Sequence, residues 1–186
     1  MGKTGKLLAA LVILSAGILL PMHTDAKEVE VQTEVLEHRF FDGKHINDYN
    51  VHVFEKASSR GSISFYKGLT VMRGQGWRTV NGDHRSSKAF GLGPVFMARW
   101  EKPIGGGKWK GALEGSGALL AYNHAFPYGG RAFGFQWRAG ARLIYDFNDR
   151  DSLSLGYIWS HSSNGMKDRN PGYNTVGFSL GYSHSW

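Results

Sequence analysis

Between Asn174 and the C-terminal Trp186 the character of the chain flips at every step. Asn174, Val176, Phe178, Leu180, Tyr182, His184 and Trp186 alternate with Thr175, Gly177, Ser179, Gly181, Ser183 and Ser185. A repeat of two belongs to a β-strand, whose successive side chains leave opposite faces, and a helix cannot accommodate it. One face of this strand is apolar and the other is small and polar, so the two faces meet different surroundings.

The same alternation recurs upstream. Leu153, Leu155, Tyr157 and Trp159 alternate with Ser152, Ser154 and Gly156, and Phe133 to Tyr145 carries Phe135, Trp137, Ala139, Ala141 and Leu143 on one side. The other side of that segment carries Gln136, Arg138, Gly140 and Arg142, which predicts arginines inside a barrel, paired with interior carboxylates such as Glu114. Further strands are predicted at Phe90 to Trp100, near 108–122, near 62–74 (where Lys67 breaks the apolar face), and near 28–37 and 49–57. A soluble sandwich could use such strands too. Segments of about ten alternating residues, with Tyr182 and Trp186 where an interfacial girdle falls, favour a transmembrane barrel of the outer-membrane type. Eight is an even strand number and closes a small barrel filled by side chains. From a periplasmic N-terminus, the turns Ser58–Gly61, Pro103–Gly107 and Asn148–Asp151 are short, and the outer connections over 38–48, 75–87, 123–130 and 164–173 are longer, the usual asymmetry of such barrels.

Composition agrees. The 186 residues include 26 glycines and 13% aromatics, about twice the usual glycine share of roughly 7%, and no helical periodicity persists after the first segment. Residues 1–26 read as a secretory signal peptide: lysines at 3 and 6, an apolar run from Leu7 to Met22, and Ala26 before Lys27. That run is too short for a membrane-spanning helix, and Gly17 and Pro21 weaken it further. The mature domain is therefore 27–186, a single eight-stranded antiparallel all-β barrel. The chain has no cysteine, which excludes disulfides and a lipidated cysteine. A net charge of +7 suits an anionic partner; export makes that partner a lipid surface rather than nucleic acid. The eight histidines have no metal-ligand spacing, so neither a metal nor another cofactor is expected.

Parity also places a polar cluster. Counting forward from Leu153 puts His161 and Ser163 on the lipid face, and counting back from Trp186 puts Asn174 there as well. Both strands end at the outer connection 164–173, so the three side chains converge on the outside of the barrel at its outer rim. Spacing alone favours the simpler view, that these residues only mark the end of the apolar band, because His-x-Ser is a common accident.

The stretch His161-Ser-Ser163-Asn164-Gly165, a lysine at 167, and Asn170-Pro171-Gly172-Tyr173-Asn174 leading into an aromatic terminal strand resembles the C-terminal signature of the PagL family of lipid A 3-O-deacylases. The resemblance is strongest over about the last fifty residues and extends to Phe135–Arg138 and Leu143; upstream of Gly130 only the general architecture matches. It implies an outer-membrane serine esterase that removes the 3-O-linked acyl chain of lipid A from lipopolysaccharide, with its site toward the outer leaflet. By the same resemblance His161 is the catalytic histidine, Ser163 the nucleophile, and Asn164 and Asn170 belong to the active-site loop, Asn170 being the better candidate to help hold the oxyanion, with backbone N–H groups near Gly165 as further donors. The third member departs from the family pattern, for Asn174 stands where a glutamate would orient the histidine. An amide oxygen can still accept from His Nδ1 but supports the imidazolium less. Asp168 is the alternative in the same loop. The basic residues Arg73, Arg78, Arg85, Lys88, Lys167 and Arg169 at the outer rim suit lipid phosphates or are ordinary rim charges.

Two rival functions stand beside this one: a non-catalytic barrel serving membrane integrity or adhesion, and a soluble periplasmic ligand-binding barrel, whose apolar faces would have to point inward. The sequence is also compatible with a homodimer.

Overall fold

The computed structural model describes residues 27–40, 43–165 and 168–186; the signal peptide read over 1–26 lies outside them, as does Lys167. Eight strands follow one another in the chain: β1 (Glu28–Arg39), β2 (Lys44–Arg60), β3 (Ile63–Val80), β4 (Asp83–Pro103), β5 (Trp109–Phe126), β6 (Arg131–Asp146), β7 (Asp151–Ser163) and β8 (Tyr173–Ser185). Each pairs antiparallel with its neighbour, and β8 returns to β1 along a ladder from Glu28↔Ser185 to Arg39↔Asn174, closing the barrel. Closure leaves no strand edge unpaired, the condition for backbone to cross hydrocarbon.

The barrel is inside out compared with a soluble protein. Leu69, Leu113 and Phe178 are 58%, 57% and 62% exposed on the outer surface, whereas Glu30 and Arg99 inside are 0% and 2% exposed. A soluble ligand-binding barrel needs the reverse, so that rival reading fails. Lys67 does sit on the outward face as the sequence suggested, but its cross-strand partner is Glu55, and the two charges lie 3.7 Å apart.

The lumen is filled by an ionic network and an apolar cluster that meet at Arg99. Toward the short turns, Arg99 bridges Glu30 (2.7 Å) and Glu114 (2.9 Å), and Arg142 binds Glu114 (2.8 Å) and the hydroxyls of Ser154 and Ser179. The expected pairing with Glu114 thus holds for Arg142, while Arg138 instead pairs with Glu34, which also engages Asn50 and His52. Buried charges of this kind persist only when paired and hydrogen-bonded. The apolar cluster runs from Tyr66 and Met97, beside Arg99, to Ile46, Met72, Leu120, Tyr122, Phe126 and Tyr173 toward the outer end. The barrel is therefore a plugged core rather than a channel.

The outer connections differ from expectation. Most of the predicted loop over 75–87 is strand: β3 and β4 stay paired as far as Val80↔Asp83. Only Asn81 and Gly82 make the turn, both at positive φ (51° and 88°), the Asn-Gly hairpin preference. Likewise β2 begins at Lys44 and β5 runs to Phe126. Above the membrane neither face of a strand meets lipid, so pairing continues without an apolar alternation to reveal it. Among the described connections the one between Ser163 and Tyr173 stays long, and it borders the polar cluster.

Candidate active site

The last pairs of the β7–β8 ladder are His161↔Asn174 and Ser162↔Tyr173. On the other side of β7, Trp137 pairs with His161 and Phe135 with Ser163. Ser160 and Ser162 point into the lumen and are buried, whereas His161, Ser163 and Asn174 face outward and are half-buried. Parity counting therefore placed all three correctly.

Direct pairing brings His161 Nδ1 to 2.7 Å from Asn174 Oδ1. An amide oxygen can only accept, so the imidazole donates its Nδ1–H, which leaves Nε2 as the acceptor of the neutral tautomer. The ring lies nearly parallel to that of Trp159, at 18° and 6.2 Å between centroids. Across the loop, His161 Cε1 and Ser163 Cβ each lie 3.4 Å from where Gly172 would carry a Cβ. Glycine at 172 thus leaves open the space that the imidazole and the serine flank.

The loop after Ser163 is folded by its own polar groups. The backbone N–H of Asn164 donates to Asn170 Oδ1 (2.8 Å), and Asn164 Nδ2 donates to the Arg169 carbonyl. Gly165 and Arg169 adopt positive φ (67° and 52°), which turns the chain back within a few residues. The two asparagines differ: Asn164 is 4% exposed and its amide donates to the loop backbone, whereas Asn170 is exposed and accepts through Oδ1. Asp168 is exposed, and the histidine nitrogen it would have to reach is engaged by Asn174.

Of the basic rim residues that are described, only Arg169 shares this loop. Arg73 stacks over Phe90 at 4.3 Å, Arg78 donates to the Tyr128 carbonyl and Arg85 pairs with Asp83, all with Lys88 on β3 and β4, across the barrel from β7.

The sequence reading missed a groove beside the cluster. It encloses about 720 Å³ on the lipid-facing side of β3 to β6, walled by Phe65, Phe96, Leu119, Phe135 and Trp137 over a floor of Ala98, Gly115 and Gly117. Its floor follows the cross-strand row Gly115–Ala98–Phe65. Its near wall is Phe135 and Trp137, the cross-strand neighbours of Ser163 and His161, and its far end is Phe65, two residues from the start of β3. The signal for it was present in the small residues at 98, 115 and 117, but it emerges only once register aligns them.

A family model described as Lipid A 3-O-deacylase (PagL) matches residues 48–183, which include every residue of this cluster. Among solved structures, the fold is similar to Neisserial surface protein A, at 10% identity and a TM-score of 0.62, over 87% of this chain and 98% of that one. It is also similar to the outer membrane enzyme PagL, at 17% identity and a TM-score of 0.50, over 84% of this chain and 98% of that one. At these identities the likeness speaks for the fold. No curated protein matches the sequence.

Proposed function

The chain belongs to the PagL family of lipid A 3-O-deacylases, and we propose that it works as a serine esterase with Ser163 as nucleophile, His161 as general base and acid, and Asn174 orienting His161. It is an outer-membrane β-barrel hydrolase acting on lipid A. The observation that carries the catalytic assignment is the 2.7 Å contact between His161 and Asn174, on the lipid face, two residues from a serine on that same face.

Neutral His161 takes the proton from Ser163 Oγ as the oxygen attacks the ester carbonyl of the 3-O-linked acyl chain. The tetrahedral oxyanion is met by the Asn170 amide and the N–H groups near Gly165, each such donor contributing roughly 3 kcal/mol. Asn164 serves by holding Asn170 in place. Collapse breaks the bond to the sugar oxygen, which leaves with the proton from His161, and the acyl group stays on Ser163. Water then attacks this ester with His161 as base, releasing the fatty acid and restoring the hydroxyl. A substrate anchored in the leaflet reaches such a site only sideways, which accounts for polar residues on the lipid face. Its acyl chain has a place to lie in the groove walled by Phe135 and Trp137, the cross-strand neighbours of Ser163 and His161.

Mass spectrometry of lipid A from Gram-negative cells producing the full chain tests the activity: the mass of one 3-hydroxyacyl chain is lost. Unchanged lipid A alongside a correctly inserted barrel would favour the non-catalytic reading instead. The role of Asn174 has its own test. Asn174→Ala lowers the rate of fatty acid release by about 10- to 100-fold, because the imidazole loses its tautomer and its orientation, while Asn174→Asp preserves or raises the rate by supporting the imidazolium. A neutral Asn174→Ala would move the role to Asp168.

A further inference from the structure

We propose that Lys44, on the far side of β1 from the catalytic strands, is a positioning residue for the reaction, and that it acts by fixing the segment that delivers Gly172 and Asn174. The inference rests on the assignment of Ser163, His161 and Asn174 above.

The argument starts from where the ladders stop. On the β1 side the last pair is Arg39↔Asn174, and on the β7 side it is Ser162↔Tyr173. Gly172 is therefore the first residue beyond β8 that neither neighbouring strand holds by register. It is also the residue whose missing side chain leaves room between His161 and Ser163, each 3.4 Å from the position of its absent Cβ. A backbone that must be accurate is thus one the sheet does not fix.

β2 supplies what the ladders do not. It is not hydrogen-bonded to β8, because β1 lies between them. Yet Lys44, on the lumen-facing side of β2, crosses the outer mouth and donates from Nζ to the Gly172 carbonyl at 2.6 Å. Two inward residues further along β2, Asp48 is fully buried and accepts from the Tyr173 hydroxyl (2.9 Å) and the Thr175 hydroxyl (3.4 Å). Residues 172, 173 and 175 are therefore tied from the lumen, and Asn174, facing the other way, is held against His161. Ion–carbonyl bonds of this kind are among the stronger single ties available. A displacement of about 1 Å at a reacting geometry commonly costs about 100-fold in rate, so such a tie acts on turnover more than on stability.

The test uses the purified, folded full-length protein in mixed micelles with lipopolysaccharide, measuring fatty acid release. Lys44→Met lowers kcat about tenfold or more and leaves KM within about twofold, and Lys44→Arg, which can still reach the carbonyl, recovers most of the loss. Placed in an Asn174→Ala background, Lys44→Met costs at most about twofold, because both changes disable the same alignment. Should Lys44→Met fail to assemble as judged by heat-modifiable gel mobility, Lys44→Gln is the second variant, with the same kcat loss expected. An unchanged kcat in an active, folded Lys44 variant overturns the inference, as does a loss that adds in full to that of Asn174→Ala. A wild-type barrel that releases no fatty acid overturns the catalytic assignment itself, so the two failures are distinguishable.

Discussion

Ser163→Ala yields a barrel that inserts and shifts with heat on a gel like the wild type but releases no measurable fatty acid from lipid A. The expected loss is of the order of 10⁵-fold, the scale seen when the nucleophile of a serine hydrolase is removed. His161→Ala matches it, and the double variant is no worse than either, because nucleophile and base act as one unit and lose their effect together. Neither change disturbs the fold, since both side chains are outward-facing and their backbone is fixed by the pairs Phe135↔Ser163 and Trp137↔His161. Ser162→Ala is the informative control. That serine is adjacent in sequence, but it points into the lumen and is buried, so the protein keeps its activity. Substantial fatty acid release by Ser163→Ala would remove the serine esterase assignment and leave the barrel without its proposed chemistry.

What could be read from the sequence followed the membrane. Where one face of a strand meets lipid and the other a packed lumen, as from Phe133 to Tyr145 or Asn174 to Trp186, the two-residue period exposes both the strand and its orientation. His161, Ser163 and Asn174 were legible because a position on a face follows from counting alone. Above the membrane the period carries no such contrast. Gln75, Trp77 and Thr79 on one face of β3 oppose Gly74, Gly76 and Arg78 on the other, and the hairpin is held by backbone pairing rather than by burial, so it looked like a loop. What Asn164 does was hidden for a different reason. It depends on hydrogen bonds inside an irregular loop, which no repeat encodes. Lys44 and Asp48 were hidden by distance, since their partners lie 128 and 125 residues away in the chain and meet them only after the barrel has closed. Interior ion pairs fell between these cases. Parity put Arg138 and Arg142 inside, but register rather than composition decided that one took Glu34 and the other Glu114.

Glu114→Ala has the opposite signature to Ser163→Ala, loss of stability with activity retained in the molecules that fold. Glu114 stands between two guanidinium groups, 2.9 Å from Arg99 and 2.8 Å from Arg142. Arg99 keeps Glu30, but Arg142 is left with the hydroxyls of Ser154 and Ser179. Two buried cations then share a lumen that has lost the charge between them. Removing one partner from a buried ionic network costs about 3–5 kcal/mol, most of it the penalty of the stranded charge. Glu114→Gln keeps an acceptor of similar shape and costs less. Urea unfolding followed by tryptophan fluorescence and gel mobility would register the difference; an unchanged midpoint for Glu114→Ala would mean the arginines find water or another acceptor. The site itself is spared because Arg142 grips β7 and β8 at Ser154 and Ser179, seven residues before His161 and five after Asn174. On the proposed assignment the reaction depends instead on the ties made at the outer end by Asn170, Lys44 and Asp48. Glu114 and the proposed site lie toward opposite ends of the barrel, so the effects of substitutions at the two are expected to add independently.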